Sequence, residues 1–258
     1  MKVLFTECKE TYLRKPINAA SVANAYLDCL VQTKTYLQLL LLVLLSIATV
    51  YLPYPSFDLK YVNSIDIMPL YIIKALYFSF PITFVFLFIM RNQRCLFFRK
   101  ITFQQLKISF FCAFIIFGVM LLFLYVLTFF TTFHGTSNPH ENEGLTNMFL
   151  KTPGIAIQII GENIMFTSLL FFWHKIIRSF IVSPVSSITI SLILSGSSFG
   201  LLHLSTYNFN WVQCLIIIGM PAITQMIFFL KYKNIHMGYM LHFNYNFIIV
   251  LFNYILSN

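Results

Sequence analysis

Charged side chains are scarce in this chain of 258 residues. Only 10% of the residues are Asp, Glu, Lys or Arg, and the 8 acidic residues face 17 basic ones. A soluble domain carries about 25% charged residues, which help to cover its water-exposed surface. The scarcity therefore excludes an ordinary water-soluble globule. It also excludes a disordered chain, which needs high charge and few apolar residues.

Cysteine motifs and internal repeats are also missing. The sequence shows no repeat, and this argues against a transporter built from inverted repeats. Its cysteines have neither a CxxC motif nor the spacing of a metal site, so we expect free thiols and no disulfide framework. The five cysteines are Cys8, Cys29, Cys95, Cys112 and Cys214.

Apolar residues are abundant instead, at 59% of the chain. A membrane-spanning helix needs about 20 mostly apolar residues, and seven stretches satisfy this length. The sequence therefore predicts an all-α, polytopic integral membrane protein with about seven transmembrane helices. We expect residues 1–35 to form a cytoplasmic N-terminal segment and residues 36–258 to form the transmembrane domain. The predicted spans are about 36–52, 69–90, 106–130, 153–173, 184–204, 211–230 and 235–256.

Basic residues gather in every second segment between these spans. The N-terminal segment and the segments near 91–107, 175–178 and 231–233 are rich in Lys and Arg, whereas the intervening segments hold few basic residues. Basic loops stay on the cytoplasmic side of a membrane. We therefore expect a cytoplasmic N-terminus in the cell membrane, with the lipid bilayer as a partner. This distribution accounts for the net charge of +9 without a nucleic-acid partner.

A few strongly polar residues interrupt the predicted spans. Glu162 is the only acidic residue within a span, and His203 closes the fifth span. His242 and Asn246 are four residues apart in the seventh span, so they share one face of a helix, while Asn244 points elsewhere. An ionisable residue at the membrane centre costs about 2.5–3.5 kcal/mol on insertion scales. These side chains are therefore expected to face a protein interior or a water-filled cavity.

Each polar residue also has a purely structural interpretation. Glu162 could be a protonated packing residue, and His203 could lie at the membrane interface. His242 and Asn246 could form ordinary hydrogen bonds between helices. For the remaining histidines, in loops or at span boundaries, solvated surface is the default expectation. They are His134, His140, His174 and His236.

Three short motifs lie in order on the fourth, fifth and seventh predicted helices. They are Glu162-Asn163-Ile164-Met165-Phe166-Thr167, Phe199-Gly200-Leu201-Leu202-His203 and His242-Phe243-Asn244-Tyr245-Asn246. Over about Gly154 to Asn246 the chain resembles the CAAX-protease and bacteriocin-processing (Abi) family of intramembrane endopeptidases. That family has Glu-Glu-x-x-x-Arg, Phe-x-x-x-His and His-x-x-x-Asn motifs in the same order. Its second Glu is Asn163 here and its Arg is Thr167.

The resemblance implies hydrolysis of a peptide bond in a membrane-associated peptide or protein substrate. It places the catalytic core in the last four helices, within 153–256, and fits a bacterial plasma membrane. Glu162 is implied to be the general base that activates water, with His203 orienting it or sharing its proton. His242 and Asn246 are implied to donate hydrogen bonds to the oxyanion. The implied supporting residues are Asn163 and Phe199.

A metal site is the competing chemistry. Glu162, His203 and His242 could bind Zn²⁺ with water as the fourth ligand, as in a metalloprotease. The chain has no HExxH motif, and Asn246 is a poor zinc ligand. We therefore favour a metal-free mechanism that depends on Glu162, and leave the cofactor as none or Zn²⁺.

Two other functions are open to the same sequence. A non-catalytic bacteriocin immunity or interaction protein would use the same fold without needing Glu162. A transporter is disfavoured, because the first three spans are almost purely apolar apart from Lys74.

Overall fold

The computed structural model describes residues 19–51, 67–130 and 145–257. These residues form helices and no strand, which confirms the predicted all-α class for this part of the chain. The helices are α1 (Ala19–Val31), α2 (Tyr36–Tyr51), α3 (Ile67–Ile89), α4 (Arg94–Phe97), α5 (Phe103–Phe130), α6 (Leu145–Phe180), α7 (Pro184–Leu201), α8 (Trp211–Gln213), a π-helical segment (Cys214–Gly219), α9 (Met220–Tyr232) and α10 (Ile235–Ser257).

Within the described residues, five helical stretches are long and apolar enough to cross a membrane. They lie in α3, α5, α6, α7 and the continuous run Trp211–Tyr232. The pair α1–α2 is bent by 96° and makes a sixth candidate if it counts as one broken span. Helix α10 is not among these candidates, and it carries the polar side chains His236, His242, Asn244 and Asn246. The described residues thus give a membrane protein with five or six candidate crossings.

The surface of α5 supports a membrane location. This helix packs mainly on α10, and its other sides point outward. Phe111 and Ile115 are 66% and 64% exposed. A contiguous surface of large apolar side chains is unfavourable in water and is stable against lipid acyl chains.

Helix α6 is the centre of the bundle and contacts α2, α3, α7 and α10. Its 36 residues correspond to about 54 Å at about 1.5 Å per residue. Gly154 and Gly161 let α3 approach closely, because a Cβ at either position would lie under 3.0 Å from Tyr71 or Ser79. The predicted span 153–173 was too short. Pro153, expected at the helix start, lies inside α6.

Helix α1 belongs to the packed bundle. Its residues Leu27 and Leu30 are fully buried against α6 and α7. Asp28 accepts a 2.9 Å hydrogen bond from His174 Nε2 and a 3.3 Å bond from Arg178 Nε, both on α6. The prediction of a solvated His174 was wrong, because α6 continues beyond Trp173 and α1 covers the imidazole.

The basic segments meet at one end of the bundle. Lys34 Nζ donates to the Ile89 carbonyl at 2.7 Å, and Lys175 Nζ donates to the Val31 carbonyl at 3.1 Å. This is the basic end of the bundle, formed by residues 31–34, 89–100, 175–178 and 231–236. The meeting of these segments at one end agrees with the prediction that basic residues gather in every second loop. The face of the membrane on which this end lies stays a prediction.

One cysteine departs from the expected free thiols. Cys29 on α1 is disulfide-bonded, whereas Cys95, Cys112 and Cys214 are free. The sequence prediction was wrong at Cys29. It rested on sequence spacing, and disulfide formation depends on proximity in space.

Candidate functional site

Glu162 and His242 face each other across α6 and α10. Glu162 Oε2 lies 3.5 Å from His242 Nε2, and their side chains are only 11% and 7% exposed. Gln158, one turn before Glu162 on α6, donates a 2.7 Å hydrogen bond to Glu162 Oε1. The carboxylate therefore has a different partner at each oxygen, one amide and one imidazole.

Phe199 connects this pair to His203. Its buried ring packs edge-on against Phe166 at 5.5 Å between centroids and lies 6.5 Å from the His242 ring. His203, just after the end of α7, packs edge-on against the same Phe199 ring, with 4.8 Å between the ring centroids. His203 Nδ1 lies 2.9 Å from the Phe199 carbonyl oxygen, which orients the imidazole.

A glycine seam fixes the position of α7. Gly200 lies against the backbone of the π-helical segment, and a Cβ there would meet the Cys214 carbonyl oxygen at 2.3 Å. Gly196, one turn earlier, likewise approaches Gly219 within this seam. This small-xxx-small spacing allows close approach of helices in membranes. The seam holds Phe199 and His203 in place beside α6.

Asn246 lies one turn beyond His242 on α10. It lines a groove with Thr152 and Ile155 of α6 and with Phe243, Phe247 and Val250 of α10. Within the described residues Asn246 makes no hydrogen bond. It thus faces α6, as His242 does, but at a level nearer the start of α6 than Glu162. Asn244 points away from both and donates to Ser109 Oγ on α5 at 3.0 Å, which confirms the predicted difference in direction.

The positions that depart from the family motif make structural hydrogen bonds. Asn163 Nδ2 donates to the Ile235 carbonyl at 3.1 Å, tying α6 to the start of α10. Thr167, fully buried, donates to the Asn163 carbonyl at 2.7 Å. Gly238 on α10 leaves room for the Asn163 side chain, since a Cβ at residue 238 would lie 3.2 Å from Asn163 Oδ1.

Three buried polar atoms near these residues have no hydrogen-bond partner among the described residues: Asn163 Oδ1, Gln225 Oε1 and His242 Nδ1. Gln225 lies on α9 and packs close to Gly238 through its backbone. His242 Nδ1 is thus buried without a hydrogen-bond partner in the described part of the chain. Sequence reasoning did not assign Gln158 a role, although its position four residues before Glu162 on one helix face was a sufficient signal.

The geometry does not fit the alternative zinc site. Among the described residues, no three His, Cys, Asp or Glu side chains are grouped closely enough to hold a metal ion. Glu162, His203 and His242 therefore do not form such a group. Phe199 packs against both imidazoles.

No protein-family profile, no curated protein sequence and no solved structure matches this chain. The family resemblance therefore depends on the three motifs alone. What the geometry adds is that Glu162, Phe199, His203 and His242, from three different helical segments, form one connected group.

Proposed function

We propose that this protein is an intramembrane endopeptidase of the CAAX-protease and bacteriocin-processing type. The observation that carries the proposal is the buried contact between Glu162 and His242, with Phe199 joining them to His203. Burying a carboxylate among apolar helices costs free energy. A chain that keeps Glu162 there beside an imidazole therefore favours a catalytic role for this pair.

In this mechanism Glu162 takes a proton from a water molecule, and the resulting hydroxide attacks the carbonyl carbon of the scissile peptide bond. The carbonyl π electrons move to oxygen, and hydrogen bonds from His203 and His242 stabilise that oxyanion. Collapse of the tetrahedral intermediate breaks the C–N bond. The proton held by Glu162 then passes to the leaving amine. Gln158 keeps the carboxylate in one orientation.

In this proposed topology the chain crosses the membrane seven times, and α6, α7, α8–α9 and α10 form the catalytic core. Although α10 is the most polar of these helices, its polar residues face α5, α6 and the site rather than lipid. The N-terminus is then cytoplasmic, in a bacterial plasma membrane. A membrane-associated peptide or protein is the substrate.

A non-catalytic immunity or interaction protein is the second candidate. The observation favouring it is the use of Asn163 and Thr167 for structural bonds at positions where the family has Glu and Arg. Such a protein would retain its function without an acid at residue 162.

The experiment compares the wild type with Glu162→Gln and with a matched control, Asn244→Ala. Asn244 is a polar residue on α10 that faces away from the site. Each full-length protein is reconstituted with a pool of membrane-associated peptides, and new N-termini are identified by mass spectrometry. Loss of a general base lowers the rate about 10²–10⁴-fold, so cleavage should disappear in Glu162→Gln and persist in Asn244→Ala.

Identical products from Glu162→Gln and the wild type would contradict the peptidase proposal. If neither the wild type nor Glu162→Gln cleaved any peptide, and Glu162→Gln kept the biological function, the non-catalytic protein would be favoured. Elemental analysis of the purified chain separately tests the metal-free mechanism, and stoichiometric zinc would overturn it.

A further inference from the structure

A second polar site lies at the basic end, beside the first turn of α10. An open cavity there is lined by Phe98, Arg99, Lys100, Ile101 and His236. Arg99 and Lys100 are exposed and belong to the segment between α4 and α5, while His236 lies in the first turn of α10. Three nitrogen-bearing side chains from two separate segments therefore line one opening.

Asn234 builds this cavity by joining the two segments. Its side chain, buried to 1% exposure, donates from Nδ2 to the Arg99 carbonyl at 3.0 Å and accepts from the Arg99 amide at 3.4 Å. The same Oδ1 accepts from the His236 amide at 3.2 Å. The Phe98 ring packs on the His236 ring at 5.4 Å. The backbone of the site is thus fixed by the protein itself.

The local charge is positive and has no carboxylate partner in the described part of the chain. Only two acidic residues are described, Asp28 and Glu162, and both are bonded elsewhere. Lys233, immediately before Asn234, adds a further cation. Burial and the nearby Arg99 charge both lower the pKa of Lys233.

Exposed apolar side chains follow the cavity residues along the chain. Helix α5 begins three residues after Lys100, and its first turns expose Phe103 and Phe110 at 72% and 43%. An amphipathic ligand would find cations in the cavity and apolar side chains beside it. A free inorganic anion would contact only the cations and not the apolar side chains. The presence of both kinds of side chain therefore favours a lipid.

We propose that this cavity binds the phosphate group of an anionic lipid headgroup, with the acyl chains along the exposed side of α5. Arg99 and Lys100 supply the charge-assisted hydrogen bonds, and His236 supplies a third donor. The site is distinct from the Glu162–His242 pair and does not depend on the peptidase proposal.

The test measures binding of dioctanoyl phosphatidylglycerol to the full chain in neutral detergent. The double variant Arg99→Gln/Lys100→Gln removes two cations of the cavity. The matched control Arg91→Gln/Lys231→Gln removes two exposed cations of the same basic end that do not line it. We expect the affinity to fall at least about tenfold in the first variant and less than about twofold in the control.

Two further probes identify the source of the phosphate. Dioctanoyl phosphatidylcholine, which has no net charge, should bind more weakly than the anionic lipid, and inorganic phosphate should compete only at far higher concentration. Equal losses in both double variants would overturn the site. Inorganic phosphate that binds as tightly as the lipid would overturn the assignment to a lipid.

Discussion

At the scale of single residues, Glu162 is held by a neighbour on its own helix. The Gln158 amide is exposed and lies 2.7 Å from Glu162 Oε1, whereas the His242 contact at the other oxygen is longer, at 3.5 Å. The shorter bond fixes the torsion angle of the carboxylate. The His242 contact leaves more freedom at the oxygen that would take the proton from water.

Removal of the Gln158 amide should therefore affect the reaction step more than substrate binding. A hydrogen bond to a charged group contributes about 1.5–3 kcal/mol, so Gln158→Ala should lower kcat at least about tenfold with little change in KM. Steady-state kinetics on a substrate found in the cleavage assay measures both. Ile160→Ala, at another exposed position of α6, is the control. A matching loss in Ile160→Ala, or a change confined to KM, would contradict a positioning role.

The sequence predicted the two members of the buried pair but not their environment. Glu162 and His242 stood out because ionisable residues in apolar spans need a partner. Spacing placed Asn246 on the same face as His242, yet the antiparallel course of α6 and α10 brings it to Thr152 and Ile155 instead. The burial of His174 was not predictable from its position near a span boundary. It depends on Asp28, which is distant in sequence.

At the scale of helices, the contact of α7 with the π-helical segment controls the position of Phe199 and His203. The two backbones meet at Gly200, where no side chain separates them. A π-helical turn widens the backbone locally and is frequent near functional sites. A displacement of α7 here would move His203 relative to His242.

Gly200→Ala should destabilise the protein, because its Cβ would meet the Cys214 carbonyl oxygen at 2.3 Å and a helix would have to shift. Overpacking of this kind costs about 1–3 kcal/mol. Gly118→Ala is the matched control, since a Cβ on α5 at that position meets nothing within 4 Å. The melting temperature in detergent should fall for Gly200→Ala and stay the same or rise for Gly118→Ala. Equal melting temperatures would show that the seam is not tightly packed.

Helix positions were predictable to within a few residues where apolar runs ended in charge or proline. The expected spans 184–204 and 235–256 correspond to Pro184–Leu201 and Ile235–Ser257. The rule that proline starts a helix failed at Pro153, since neighbouring helices support the backbone of α6 on both sides of it. The π-helical segment had no signal in the sequence. It lies where Gly200 packs closely against Cys214 and Gly219.

At the scale of the whole molecule, charge is distributed along the bundle axis. The basic end contains most of the described Lys and Arg residues, while α7 runs from Pro184 near that end to a turn at 202–209. This turn holds His203 and the exposed Ser205, and within it no charged residue occurs. The 18 residues of α7 span about 27 Å, close to the thickness of a bilayer core.

Basic segments remain in the cytoplasm, so the two ends of the bundle should react differently with a membrane-impermeant maleimide. The native Cys95, exposed at the basic end, reports one face, and Ser205→Cys reports the other. In intact cells the reagent should modify residue 205 and spare Cys95, with the modified peptides identified by mass spectrometry. Permeabilised cells provide the control, in which both should react. Modification of Cys95 alone in intact cells would invert the orientation, so that the His203 end would face the cytoplasm and the substrate would approach from there.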